Sequence, residues 1–322
     1  MDSQLSEYRA EDLRPLADLY RASILALGRD FYTEEQLKAC ASLADDLPAF
    51  EAGLNQGHTW VIRCQGQAIA FGQLQPSDHL TLLHCHPAYV KCGHSKTLCQ
   101  HLEAIAVRSG QVLINTDSSR VARSFFEAQG FVCLKSEVVL RHGVAIERFK
   151  MAKLLQPYKK WAILGNSGSG KSTLAKRIAL CLNAKVLDLD TIAWDAGPER
   201  RDLSASHQAI RDWQDGQTEW VIEGCYEDLL QVVNEPDTAL LWLDPPTAVC
   251  QNRVSTRRFE PHKYSSMTEQ QAALPELTDW IARYSDPQRS MSWHHHNDLY
   301  QAWAGPKFPS SQETPHPAEP RT

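Results

Sequence analysis

Gly165-Asn166-Ser167-Gly168-Ser169-Gly170-Lys171-Ser172 satisfies the phosphate-cradling pattern G-x-x-x-x-G-K-[ST] at every required position. Trp161-Ala162-Ile163-Leu164 precedes it, a short apolar run suited to a buried parallel strand. Thr173 and the residues to Leu182 follow, with Leu174, Ile178 and Leu182 spaced to share one helical face. A strand therefore runs into a glycine loop, and the loop opens a helix. Glycines let main-chain N–H groups wrap an anion without Cβ clashes. The helix start adds about half a positive charge aimed at that anion. Lys171 can reach the β and γ phosphates of a nucleotide, and the Ser172 hydroxyl can ligate Mg²⁺. A glycine-rich turn could match the pattern by chance, but the flanking strand and helix argue against it. Gly165 to Thr173 is thus the expected cofactor-binding segment, with ATP and Mg²⁺ as the ligands.

The chain has 322 residues, enough for about two domains. Hydrophobic residues make up 43% and charged residues 22%, so packed cores can form. The net charge of −6 argues against a dedicated nucleic-acid binder, which carries a basic face. No run approaches the length of a membrane span, so no membrane partner is expected. Met1-Asp2-Ser3-Gln4-Leu5-Ser6-Glu7 is polar and acidic, unlike a signal peptide. Nine scattered cysteines without a C-x-x-C pair read as reduced thiols, and a cytoplasmic location follows as the expectation. Composition leaves the oligomeric state open.

A boundary is expected at Gln156-Pro157-Tyr158-Lys159-Lys160, between an apparent strand over Arg148 to Ala152 and the strand before the glycine loop. This gives domains at 1–155 and 156–304. From Gly305 to Thr322 the chain turns proline-rich and polar, a composition that reads as a disordered tail.

Past the first helix of the second half, Lys185-Val186-Leu187-Asp188-Leu189-Asp190 reads as a strand ending in two carboxylates on the same side. Ligands gather at the carboxyl ends of parallel strands. One of Asp188 and Asp190 could hold Mg²⁺ through water and the other could take a proton from an attacking hydroxyl. The bland alternative is an acidic turn. Trp220 to Gly224 reads as strand then glycine loop, and Thr238 to Asp244 as a strand closed by a second metal-side carboxylate, Asp244, or by a simple turn signal. Arg253 and Arg257 are i, i+4 neighbours on an expected helix, beside the polar segment Phe259 to Ser266. They suit a lid that neutralises transition-state charge, or else a solvated basic face.

These residues together resemble the adenylate-kinase and shikimate-kinase-like group of P-loop proteins, especially the small FlaR-like or "topology modulation" proteins. The likeness rests on Gly165 to Thr173, Leu189-Asp190 with Trp194, Val221-Ile222-Glu223-Gly224-Cys225-Tyr226, and Leu243-Asp244 with Arg253 and Arg257. It implies a doubly wound parallel sheet, Mg-ATP, and phosphoryl transfer to a small acceptor, with Lys171, Asp190, Arg253 and Arg257 as catalytic groups and Ser172, Asp188 and Asp244 on the metal. Such proteins end with another strand near the adenine, whereas here the proline-rich tail follows Trp303. His294-His295-His296 is too closely spaced for a helical metal site and reads as a solvated face.

In the first half, Leu13, Leu16, Tyr20 and Ile24 form one helical stripe. Trp60 to Cys64 and Ala68 to Gly72 flank a turn and read as a hairpin. Leu80 to Cys85 reads as a strand running into Pro87 to Ser95, then a helix with Leu98, Leu102, Ile105 and Ala106 inward. Cys85 would face away from His84 and His86, which argues against a metal site among His84, Cys85, His86, Cys92 and His94.

This half resembles the GCN5-related N-acetyltransferases (GNAT), in which a [QR]-x-x-G-x-[GA] loop and a helix start bind the acetyl-CoA pyrophosphate. The matching residues are Val90-Lys91-Cys92-Gly93-His94-Ser95, of which Gly93 fits fully and Val90 departs from the leading residue. The resemblance puts acetyl-CoA on Lys91, Gly93, His94 and Ser95. Ala122 to Phe131 matches the family's A-x-x-x-Y-x-x-x-G-F segment, but Phe126 stands where the family often has an acidic tyrosine, and a phenyl ring donates no proton. A mixed α/β acyltransferase-like domain fused to a kinase-like one is the leading reading, acting on small-molecule substrates. The alternatives are a regulatory or scaffold protein, with a non-catalytic acyl-CoA-binding half and an ATPase half, and an ATP-dependent RNA acetyltransferase, against which the acidic balance speaks.

Overall fold

Gln65 and Gly66 both take left-handed backbone angles (φ 51° and 81°), as a tight hairpin turn requires. They join β2 (His58–Cys64) to β3 (Gln67–Leu74), and β1 (Ser3–Glu7) pairs antiparallel with β2. Helices α1 (Leu13–Leu27), α2 (Glu34–Ala41) and α3 (Leu47–Asn55) lie between β1 and β2 in sequence. The sheet continues through β4 (His79–Cys85), α4 (His94–Arg108), β5 (Leu113–Ser118), α5 (Arg123–Ala128), β6 (Val132–Arg141) and β7 (Val144–Leu154). Its seven strands run in the order β1-β2-β3-β4-β5-β7-β6. Every pairing is antiparallel except β4 with β5.

Apolar residues fill both faces of this sheet. Leu16, Leu19 and Tyr20 of α1 pack with Phe50, Leu54, Val61 and Phe71 on one. Leu102, Ile105 and Ala106 of α4 pack with Leu80, Ile114, Phe126 and Met151 on the other. The stripes read from periodicity are those that face the sheet. Helices α2 and α3, of 8 and 9 residues, are shorter than the window of about 11 residues over which a helical period is read.

The structure, a computed structural model, describes residues 3–195, 199–259 and 266–309. It divides into two compact units, 1–156 and 157–322. The second unit contains β8 (Lys160–Gly165), α6 (Lys171–Leu182), β9 (Lys185–Asp188), α7 (Asp190–Ala193), α8 (Leu203–Gln214), β10 (Trp220–Gly224) and α9 (Glu227–Leu230). It ends with β11 (Thr238–Leu243), α10 (Thr247–Ser255), α11 (Met267–Ala282), α12 (Trp293–Ala302) and β12 (Lys307–Pro309). All pairings among its five strands are parallel, in the order β12-β11-β8-β10-β9. The strand carrying the glycine loop is therefore central, and Trp161 to Leu164 are fully buried.

Three expectations need correction. The tail does not begin at Gly305, because Lys307–Pro309 forms an edge strand on β11. Leu240 N–H bonds to the Pro306 carbonyl at 2.8 Å, and the Phe308 ring lies 5.5 Å from that of Trp161. Residues 310–322 of the expected tail lie outside the described residues. Asp190 is not a strand residue. The strand stops at Asp188, whose Oδ1 accepts the Asp190 N–H at 3.0 Å and turns the chain into α7. Arg257 lies beyond α10, because the Ser255 and Thr256 hydroxyls bond back to the Asn252 carbonyl at 2.8 and 3.1 Å and end the helix.

Candidate functional site

The loop between β8 and α6 is bent by three glycines, Gly165 (φ 154°), Gly168 (φ 76°) and Gly170 (φ 105°). At Gly168 a Cβ would lie 2.5 Å from the Cys250 carbonyl oxygen, so no larger residue fits. Lys171 is buried, and its Nζ donates to the Asn166 carbonyl at 2.9 Å, arching back across the loop. Asn166 fixes the loop in turn. Its Oδ1 accepts Ser167 N–H at 2.9 Å and its Nδ2 donates to the Ile281 carbonyl at 3.3 Å. Ser169 Oγ is buried without a hydrogen-bond partner among the described residues. Arg253 Nη1 donates to the Ser169 carbonyl at 2.8 Å, which fastens α10 to the same loop.

Glu223, at the end of β10, gathers the rest of this site. It is 3% exposed, and burial pushes its carboxyl pKa above the ordinary value, with the Lys171 charge opposing. Asp188 and Asp190 raise it further, and the Ser172 hydroxyl donates to it. One cluster thus holds Lys171, Ser172, Asp188, Asp190 and Glu223. Sequence reasoning passed over Glu223, although a carboxylate ending a buried parallel strand beside the loop strand was the available signal. Tyr226 is the other addition. Its hydroxyl donates to Asp190 Oδ1 at 2.7 Å and accepts Trp194 Nε1–H at 2.8 Å.

Asp244 follows Leu243, which pairs with Gly165 at the start of the loop, and its Oδ2 accepts Trp293 Nε1–H at 2.8 Å. In the expected lid segment, residues 260–265 lie outside the described residues, while Ser266 caps α11 by accepting Glu269 N–H at 3.1 Å. The histidine run is not a solvated face throughout. His294 is exposed, but His296 is fully buried between the Cys225 carbonyl (Nε2, 2.7 Å) and the Tyr284 hydroxyl (Nδ1, 2.6 Å).

In the N-terminal unit, β4 and β5 pair only at His79↔Asn115 and Leu80↔Thr116. Beyond that point they are unpaired with each other, which opens the sheet between Thr81–Cys85 and Asp117–Ser118. The chain then passes Lys91 (φ 62°) and Gly93 (φ 89°), two left-handed residues that turn it into α4. Lys91 and Gly93 are exposed, while His94 and Ser95 are half-buried in the first turn, where main-chain N–H groups have no helical partner. Phe126 is 3% exposed and packs edge-on against Phe125 and Phe131, so it belongs to the core. His84 lies on the opposite face from Cys85, against Tyr20 and Phe71, with Ser23 Oγ 3.3 Å from its Nδ1.

Residues 29–155 match the family described as acetyltransferase (GNAT) domain. A GCN5-related N-acetyltransferase structure from Rhodopseudomonas palustris is 34% identical, covering 48% of this chain and 96% of that one, with a TM-score of 0.47. The PaiA N-acetyltransferase of Thermoplasma acidophilum, solved with coenzyme A, is 20% identical over 48% of this chain and 99% of that one (TM-score 0.40). YjaB of Escherichia coli is 21% identical over 47% and 97% (TM-score 0.39). No curated protein matches the chain. Among the described residues no helix is long and apolar enough to cross a membrane.

Proposed function

The N-terminal unit belongs to the GCN5-related N-acetyltransferase (GNAT) family, and on that premise we propose that the chain carries two transferase sites: acetyl transfer from acetyl-CoA in the first unit, and phosphoryl transfer from Mg-ATP to a small molecule in the second. The observation carrying the second assignment is the loop at 165–172, with its buried lysine and orphaned Ser169 oxygen at the head of a parallel sheet. A polyphosphate supplies an acceptor for Ser169 Oγ and a counter-charge for Lys171.

In the second unit the loop amides and Lys171 hold the β and γ phosphates, with Ser172, Asp188 and Glu223 on the side of the metal. Mg²⁺, when bound, neutralises charge developing on the transferred group. Asp190, oriented by the Tyr226 hydroxyl, takes the proton of the acceptor hydroxyl. Arg253, tied to the Ser169 carbonyl of the loop, stabilises the charge on the transferring phosphoryl group. Asp244, whose Oδ2 accepts from Trp293, is the further metal-side carboxylate at the start of the loop.

In the first unit the opened β4–β5 edge and the start of α4 suit a CoA thioester. Lys91, Gly93, His94 and Ser95 frame the anion end through main-chain donors. Calorimetric titration of Mg-ATP tests the second assignment. The wild-type chain is expected to bind and Lys171→Ala to lose binding; equal affinity would remove the assignment. Acetyl-CoA is expected to raise the melting temperature, and no shift at saturating ligand would remove the first.

A further inference from the structure

The face of β4 that carries His84 holds a second group of polar side chains. His84 lies between the Tyr20 ring at 4.6 Å and the Phe71 ring at 5.5 Å. Its Nδ1 meets Ser23 Oγ at 3.3 Å, whereas its Nε2 has no hydrogen-bond partner among the described residues. That nitrogen is not sealed in either, since it is absent from the buried atoms lacking partners. The strand segment carrying His84 is the one that has parted from β5, so the ring stands beside the opening.

Arg141 reaches the same place from the end of β6. The tip of the β6–β7 hairpin is held against α2, where Gln36 Nε2 donates to the Ala145 carbonyl at 2.9 Å. The Arg141 charge lies near Tyr20, opposing the rise that burial gives the Tyr20 pKa, and the Tyr20 hydroxyl donates to the Cys40 carbonyl at 3.1 Å. Arg141 has no acidic partner among the described residues. Its charge acts on His84, Tyr20 and Cys40 together. A half-buried arginine held near an accessible imidazole, with its own charge unmatched, is equipped to receive an anion.

We propose that the acetyl acceptor is a small primary amine bearing an anionic group, a carboxylate or a phosphate, that Arg141 binds this group, and that His84 Nε2 takes the proton from the acceptor nitrogen. This rests on the acetyl-transfer reading of the first unit. The ammonium form first loses one proton to solvent. The amine lone pair then forms the C–N bond to the thioester carbonyl carbon while an N–H proton passes to His84. The C–S bond breaks with its electron pair on sulfur, and the sulfur takes a proton from the imidazolium, which returns to neutral. This gives the step the proton carrier that Phe126 is not.

The test uses the full chain with amino acids, their amides, and phosphoethanolamine beside ethanolamine. Saturation-transfer NMR without acetyl-CoA reads binding, and thiol release with acetyl-CoA reads turnover. Anionic members are expected to bind and react, with their neutral counterparts about tenfold or more weaker in kcat/KM. The amino-acid and phosphoethanolamine arms separate the two kinds of anion. Arg141→Gln is expected to abolish the discrimination while leaving acetyl-CoA binding unchanged, with Arg141→Lys intermediate. His84→Gln is expected to lower kcat about 100-fold or more with KM for the acceptor nearly unchanged and the melting temperature retained. Absence of acetyl-CoA binding in the wild type would overturn the acetyl-transfer reading itself. Intact acetyl-CoA binding with neutral amines preferred, with no panel member bound or acetylated, or with Arg141→Gln indistinguishable from wild type, would overturn this proposal alone. Full turnover in His84→Gln would remove the proton-transfer role.

Discussion

His296 has both ring nitrogens committed. The Cys225 carbonyl can only accept, so Nε2 carries the hydrogen and Nδ1 accepts the Tyr284 O–H, while Trp242 Nε1–H donates to Tyr284 at 3.3 Å. A second proton on the ring would oppose the tyrosine hydrogen. Burial first, and then the nearby Lys171 charge, hold its pKa down to about 3, and burial with the Arg141 charge holds His84 down to about 4. Both values lie below that of an unfolded histidine. The unfolded chain therefore binds more protons as pH falls from about 6.5, and stability present above that pH is lost on acidification. For His296 alone the loss is about 2 kcal/mol by about pH 5. Urea midpoints of the second unit are expected to drop over that interval in the wild type and to change less in His296→Gln.

Glu223 has the opposite sign. A buried carboxyl with a raised pKa weakens the fold once it ionises, so Glu223→Gln is expected to raise the melting temperature at neutral pH. The same change is expected to lower phosphoryl transfer about 100-fold or more. A lowered melting point would show that the carboxylate supports the loop instead. Neither role was legible in the sequence. His296 looked like one of three exposed neighbours, and Glu223 looked like a strand residue before a glycine, because the partners that define them are distant in the chain.

The glycine loop, by contrast, could be read from eight adjacent residues, since a strand, left-handed glycines and a helix start are all set locally. Gly168→Ala is expected to fail twice there, through its positive φ and through the Cys250 carbonyl at 2.5 Å. A loss of roughly 1–3 kcal/mol in stability together with nucleotide binding is the expected outcome, measurable by denaturation and calorimetry. The ends of elements were less legible. Asp190 and Arg257 were placed by continuing a period past hydrogen bonds that stop it. The β12 strand was hidden by its prolines, which an edge strand tolerates. Its anchor is Phe308 against Trp161 and Tyr158, with ring centroids 5.5 and 5.9 Å away. Phe308→Ala is expected to lower stability by about 1–2 kcal/mol, less than a fully buried phenylalanine would, and an unchanged urea midpoint would deny the strand a structural role.

Each unit has its own buried core. Calorimetry of the intact chain is accordingly expected to resolve two ligand responses. At about 100 times its Kd, each ligand adds about 2.7 kcal/mol to the unit that binds it, or about 5–10 °C. Acetyl-CoA is expected to move one transition and Mg-ATP the other, and a single transition moved by both would merge the two sites. The division at residue 156 left traces in composition, whereas the strand order did not, because pairing partners are chosen in three dimensions.

The edge position of β12 also sets a timetable for biosynthesis. The central strand β8 leaves the ribosome about 150 residues ahead of the strand that finishes its sheet, a lag of roughly 7–30 s at ordinary translation speeds. Through that interval the first unit can already be folded, while the nascent second unit carries the side of Trp161 that Phe308 later covers as bare apolar surface. Chaperone capture or misassembly of the nascent chain would therefore concentrate between the synthesis of β8 and that of β12, and slowing the codons just before residue 307 would lengthen that exposure.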